Sequence, residues 1–207
     1  MIDLDLVKAQ LITAYDRQAG ERDAAARQPW KIQERDEFLQ IIQKRKLHRL
    51  LEIGAGPGHD AKFFQDSGLE VTCIDLSPNM VALCKDKGLD AHVMDYSQIT
   101  FPDQSFDAIW ALNSLLHVPK TELLNVLAGI QRILRPDGLF YMGVYGRHNF
   151  EGIWKNDSYE PKRFFSFFEE ATLKETLSQF FTILSLKTLP HSDVLDFQSV
   201  QATFARC

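Results

Sequence analysis

The chain has little cysteine, no excess of basic charge and no long apolar run, and each shortage excludes something. Of 207 residues only Cys73, Cys84 and Cys207 are cysteine. None sits in a CxxC or Cys/His ligand spacing, which argues against a disulfide framework and a structural zinc and for a reducing compartment. Lys and Arg number 23 against 28 Asp and Glu, for a formal net charge of -5. That balance carries no electrostatic footprint for long nucleic acid. The opening stretch "MIDLDLVKAQLITAYDRQAGERD" has early acidic residues and no continuous apolar core, so it reads as neither a signal peptide nor a membrane span. Internal repeats and low-complexity tracts are absent too. What remains is a cytoplasmic protein with no bound metal, acting on a small molecule as a monomer or homodimer.

Hydrophobic periodicity organises the rest. Leu4, Val7, Leu11 and Tyr15 fall at helical spacing over residues 4 to 18, and Trp30, Phe38, Ile41 and Ile42 do so over 29 to 44. From residue 49 strands and helices alternate. "RLLEI" reads as a strand, 59 to 67 as a helix stopped by Gly68, and "EVTCID" as the second strand. Ser77 and Pro78 open a helix that Gly88 closes, because a hydroxyl satisfies free N–H groups and proline suits the first helical position. "DAHVM", "FDAIWA" and "LFYMGVY" supply three more strands, with a helix over 120 to 134 before the last. Such alternation predicts an α/β domain with a parallel sheet and helices on both faces. Residues 146 to 163 read as a long polar connection with scattered aromatics, of the kind that shapes ligand sites. "RFFSFFEE" reads as the core face of the next helix, from about Glu169 to Gln179, and a terminal strand hairpin follows.

The loop "LLEIGAGPGHD" at residues 50 to 60 carries the chemistry. A dinucleotide fingerprint would place a third glycine where His59 stands. Glycines at alternate positions instead let the backbone pass close to a ligand. Glu52, just before the loop, suits an ammonium or sulfonium and repels a pyrophosphate. Asp75, ending the second strand, is placed to accept two ribose hydroxyls. Asp95 and Tyr96, after the third strand, suit an adenine amine beside an aromatic surface. The strand ends describe an adenosine bearing a cation.

With "VTCIDLSPNM", "MDYSQITFPDQSFDAIWALNSLLHV" and "LRPDGLFYMGVY", the chain resembles class I S-adenosylmethionine-dependent methyltransferases, especially the small-molecule group called methyltransferase type 11. The resemblance covers roughly residues 47 to 145. It implies a Rossmann-like sheet of seven mostly parallel strands in the order 3-2-1-4-5-7-6, after two N-terminal helices. It also implies one domain over 1–207, with 1–45 as a helical lid, 47–145 as the cofactor-binding core and 146–207 as the substrate side. Residues Glu52, Gly54, Ala55, Gly56 and Gly58 would hold the methionine moiety of S-adenosyl-L-methionine, Asp75 the ribose, and Leu76, Met80, Asp95 and Tyr96 the adenine. Leu112 would touch the cofactor, and Tyr15 matches a tyrosine that closes over it in relatives. For Tyr15 the alternative is a plain apolar helix face.

Methyl transfer from a sulfonium is an in-line displacement, so positioning and exclusion of water do most of the work. His117, after the fourth strand, is the candidate general base. Its alternative is structural, packed below the cofactor and bonded to backbone. Asn113, Tyr145, His148, Trp154 and Arg163 are candidates for the acceptor pocket. Two other functions remain open: a non-catalytic S-adenosylmethionine-binding or regulatory protein, since fold does not fix function, and a nicotinamide-dependent oxidoreductase, which His59 and Glu52 oppose.

Overall fold

The computed structural model describes residues 2–204. Two helices come first, α1 (Leu4–Ala24) and α2 (Pro29–Arg45), followed by β1 (Arg49–Ile53), α3 (His59–Asp66), β2 (Glu70–Asp75), α4 (Pro78–Asp86) and β3 (Asp90–Val93). Then come β4 (Phe106–Leu112), α5 (Lys120–Ile133), β5 (Leu134–Gly146), β6 (Phe150–Ile153), β7 (Phe164–Phe167), α6 (Glu170–Ser178), β8 (Thr182–Pro190) and β9 (Asp196–Thr203). Short 3₁₀ turns follow β3 and β4.

The main sheet has the order β3-β2-β1-β4-β5-β9-β8. Counted within that sheet alone this is 3-2-1-4-5-7-6, as expected, and β9 runs antiparallel to both neighbours. Successive side chains on a strand point to opposite faces, and the strands are apolar on both. Leu51, Ile53, Ile109 and Phe140 pack with Leu127 and Ile130 of α5 and Leu173 of α6. Leu50, Cys73, Trp110 and Tyr141 pack on the other side with Phe38 of α2, Phe64 of α3 and Val81 of α4. Ser77 caps α4 by accepting from the Met80 N–H at 3.1 Å.

Two expectations need correction. "RFFSFFEE" is not a helix face: Phe164–Phe167 form β7, paired antiparallel with β6 in a small second sheet. Phenylalanine favours a pleated, half-buried surface, and here both faces are buried. Phe164 packs on Val7 and Leu11 of α1, while Phe165 and Phe167 join the main core. The long connection therefore contains β6 and forms one edge of a hairpin. Second, α1 runs past residue 18 to Ala24. Its polar last turns are tied by side chains: Asp16 to Ser77 and Asn79, and Asp23 to Lys87 at 2.6 Å. Those bonds lay α1 along α4, from its N-cap Ser77 to its C-cap Lys87.

Candidate active site

The loops leaving the carboxyl ends of β1, β2 and β4 converge on one cavity roofed by α1. Gly54 and Gly56 line it from the first loop, Asp75, Leu76 and Ser77 from the second, and Leu112, Asn113, Ser114 and His117 from the third. Met94 and Tyr96 close one end, and Leu11, Ile12, Tyr15 and Arg22 form the roof. Its empty volume, mouth included, is about 610 Å³.

Gly54 has φ +70° and faces Ser114 so closely that an added Cβ would stand 2.3 Å from the serine Cβ. Only glycine brings the chain past that wall. Asp75 anchors the same loop: one carboxylate oxygen accepts the Gly56 N–H at 2.8 Å, the other the Ser77 N–H at 2.9 Å. A carboxylate has about four lone-pair sites, so two hydroxyls can still be accepted. Burial raises the Asp75 pKa, and the backbone bonds oppose the rise.

Glu52 and Arg22 each carry a buried polar atom without a hydrogen-bond partner. Glu52 is buried at the end of β1, with Oε2 lacking any partner. Burial pushes its pKa up to about 8 against the pull of Arg27, which is itself paired with Asp60. Arg22 donates from Nη1 to the Tyr159 hydroxyl at 3.1 Å, while its buried Nε has no acceptor. Tyr15 and Arg22 lie seven residues apart, two turns along the same face of α1.

At the centre stands Tyr15. The Nδ1 of His117 lies 2.6 Å from the Phe164 carbonyl, which only accepts, so Nδ1 carries the proton. Nε2 therefore accepts the Tyr15 O–H, also at 2.6 Å. The same hydroxyl accepts from Arg163 Nη1 at 2.9 Å. Arg163 is held by Asp157 through two bonds of 2.9 and 2.6 Å, the bidentate geometry that guanidinium favours. Burial, with Arg163 beside it, drives the His117 pKa down to about 3. A neutral imidazole whose free nitrogen is already engaged positions Tyr15 and is a poor proton acceptor near neutral pH. The structural alternative for His117 thus fits this geometry better than the role of base.

Beyond Tyr15 lies a second cavity, sharing Tyr15, Asn113 and His117 with the first. Tyr145, Trp154, Phe165 and Phe167 give it aromatic walls, and Lys31, Asn156, Ser158 and Arg163 add polar groups. Asn113 sits in the left-handed region at φ +54°, and its buried Oδ1 has no partner.

Several expected residues lie elsewhere. Asp95 does not line the first cavity: it pairs with Lys8 at 2.6 Å and caps the 3₁₀ turn through Ser97. Glu52, Ala55, Gly58 and Met80 also stay outside the lining. The Ala55 N–H bonds the Ile74 carbonyl at 3.1 Å, Met80 is fully buried, and a Cβ on Gly58 would meet Leu89 at 2.7 Å. Their places are behind the loop, where they set its path. His148 is exposed on the surface, its ring 6.5 Å from Trp154 and outside the second cavity. Sequence reasoning missed Arg22, Lys31, Asp157, Phe165 and Phe167. The heptad step from Tyr15 would have exposed Arg22, whereas Lys31 and the phenylalanines needed the tertiary fold.

The charge pattern accepts an amino-acid zwitterion linked to a nucleoside. In the lining a buried guanidinium nitrogen lacks an acceptor and Asp75 has spare lone pairs beside Leu76, Met94 and Tyr96, while outside the lining one oxygen of the buried Glu52 carboxyl lacks a hydrogen-bond partner.

Residues 51–142 match a family model described as a methyltransferase domain. A malonyl-[acyl-carrier protein] O-methyltransferase from Serratia marcescens is 30% identical over 65% of this chain and 52% of its own length. The 27-O-demethylrifamycin SV methyltransferase of Amycolatopsis mediterranei is 32% identical over 53% of this chain and 43% of its own. The chain thus spans about half the length of these curated relatives. Among solved structures, the 1,6-didemethyltoxoflavin-N1-methyltransferase of Burkholderia thailandensis matches with a TM-score of 0.75 and 22% identity, covering 100% of this chain and 92% of that one. The [4+2]-cyclase SpnF matches with a TM-score of 0.75 and 17% identity, covering 97% of each chain. Residues 51–142 are thus similar to a methyltransferase domain, and the fold is that of these solved structures.

Proposed function

We propose that the protein transfers a methyl group from S-adenosyl-L-methionine to a small-molecule acceptor. One observation carries this reading: two cavities meet at Tyr15, Asn113 and His117, the first complementary to the cofactor and the second walled by aromatic rings. When bound, S-adenosylmethionine supplies an electrophilic methyl group on a sulfonium. Asp75 holds the ribose hydroxyls, Glu52 offsets the ammonium through its buried carboxylate, and Arg22 takes the carboxylate. The Asn113 carbonyl oxygen accepts an N–H or O–H of the acceptor and so turns its lone pair towards the first cavity. Tyr15, clamped by His117 and Arg163, excludes water from the junction, which an in-line displacement requires. His117 stays neutral throughout, so the acceptor must be nucleophilic without it.

In this reading residues 1–45 serve as the lid, 47–145 hold the cofactor and 146–207 shape the acceptor side, within one domain working in the cytoplasm. Among the described residues no helix is long and apolar enough to cross a membrane. The SpnF fold shows that this architecture also hosts a cyclase, so chemistry needs direct proof. Incubation with methyl-labelled S-adenosylmethionine and a panel of small aromatic acceptors should release S-adenosylhomocysteine and a labelled product. Tight cofactor binding with no transfer to any acceptor would favour the binding-protein alternative.

A further inference from the structure

Lys31 is the charge in the second cavity that no carboxylate among the described residues answers; its ammonium lies over the Trp30 ring, 5.2 Å from the centroid, and nothing anionic there neutralises it. It stands in the first turn of α2, half-buried, and lines the cavity beside Tyr145 and Leu195. Among the described residues no carboxylate pairs with it. The charges it feels are Arg27 and Arg22, both cations, and His191 faces it from the turn between β8 and β9. The other cation of the cavity is already spent: Arg163 forms its fork with buried Asp157. Burial with these like-charged neighbours lowers the Lys31 pKa to about 8, a sign that its ammonium lacks an anionic partner.

The walls define the rest of the ligand. Trp154 and Phe167 stand edge to face at 5.0 Å, Phe165 lies 5.5 Å from Phe167, and Tyr145 is stacked at a tilt on His191 at 4.6 Å. Such rings favour a flat π-system over a flexible chain. Asn113 and Asn156 provide neutral hydrogen-bonding groups at its edge.

We propose that the second cavity takes a planar aromatic or heteroaromatic acceptor carrying one anionic group, and that the ammonium of Lys31 pairs with that group. This rests on the methyltransferase reading only in naming the ligand an acceptor. The pair forms in a half-buried, aromatic setting, where an ion pair is stronger than on open surface. Lys31 is therefore a specificity-determining residue that discriminates an acid from its neutral amide.

The test uses 6-hydroxy-2-naphthoate and 6-hydroxy-2-naphthamide as fluorescent probes, titrated into the full chain with and without S-adenosylhomocysteine. The wild type should bind the acid at least tenfold tighter than the amide. Lys31→Met should bring the two affinities together, and Lys31→Arg should keep the preference. S-adenosylhomocysteine affinity is measured for each variant and should not move, because Lys31 does not line the first cavity; this also reports that the variants are folded. Equal binding of acid and amide by the wild type, or an acid preference that survives Lys31→Met, overturns the proposal. Failure of S-adenosylhomocysteine to bind the wild type overturns the methyltransferase reading instead, while an acid preference abolished by Lys31→Met would still stand as evidence for the anion site.

Discussion

Replacing Glu52 by glutamine should stabilise the free protein and weaken cofactor binding, each by an amount that the burial of this one carboxyl sets. Burial raises the Glu52 pKa from 4.5 to about 8. The unfolded chain loses this proton near its ordinary value while the folded chain keeps it. Between the two values the folded state binds more protons, so stability falls as pH rises. The penalty is absent well below the ordinary value and grows by about 1.4 kcal/mol per pH unit. At pH 7 it amounts to at most about 3 kcal/mol, and at pH 5 to under about 1 kcal/mol. Glutamine has the same shape and never ionises. Urea unfolding of wild type and Glu52→Gln at pH 5 and pH 7 should show the variant gaining stability at the higher pH and little at the lower. A cationic ammonium reverses the preference and draws out the carboxylate. Cofactor binding near pH 7 should then release a proton, seen as a heat that varies with the buffer's ionisation enthalpy, and the variant should bind at least tenfold more weakly. A stability difference independent of pH, or unchanged affinity in Glu52→Gln, would refute the argument.

Further consequences can be checked separately. Asp75→Ala removes the anchor of the Gly56 and Ser77 N–H groups together with the ribose acceptor; cofactor affinity should fall by at least about 1 kcal/mol by calorimetry. Tyr15→Phe strands the His117 Nε2 and an Arg163 N–H, so the melting temperature should drop by a few degrees, as about 1–2 kcal/mol does in a chain of this size; an unchanged melting point would mean the clamp contributes nothing. His117, with its pKa near 3, stays neutral from mild acid upward. The pH dependence of turnover should therefore show no limb near 6.5 that vanishes in His117→Asn, and such a limb would restore His117 as a base. Gly58→Ala, at φ +80° with Leu89 at 2.7 Å and the Cys84 sulfur at 2.9 Å, should destabilise by about 1–3 kcal/mol in urea unfolding.

The core of the fold was legible because its signals are local. Alternating strands, the Ser77–Pro78 start and the glycine stops each declare themselves within a few residues, and the glycine loop falls where a parallel sheet places its ligand. Of the residues expected on the donor side, Tyr15, Gly54, Gly56, Asp75, Leu76, Tyr96 and Leu112 line the first cavity. What failed depended on distant partners. Asp95 turned away because Lys8 of α1 reaches it, and no spacing rule reports a partner so far off in sequence. "RFFSFFEE" has no period that separates a buried strand from a buried helix segment; only α1 on one face and the main core on the other decide it. Nothing in the sequence around Lys31 sets it apart from other cations, and Arg22 is marked only by its heptad step from Tyr15; the roof over the cavities gives each a buried side.

Calorimetric titration of the full chain with S-adenosylhomocysteine tests the central claim most directly, with NAD and the Arg22→Ala variant alongside. One saturable site on the wild type, at least tenfold weaker binding in Arg22→Ala and no heat with NAD are the predicted results. No binding of S-adenosylhomocysteine, or binding of NAD to the same cavity, would contradict the account.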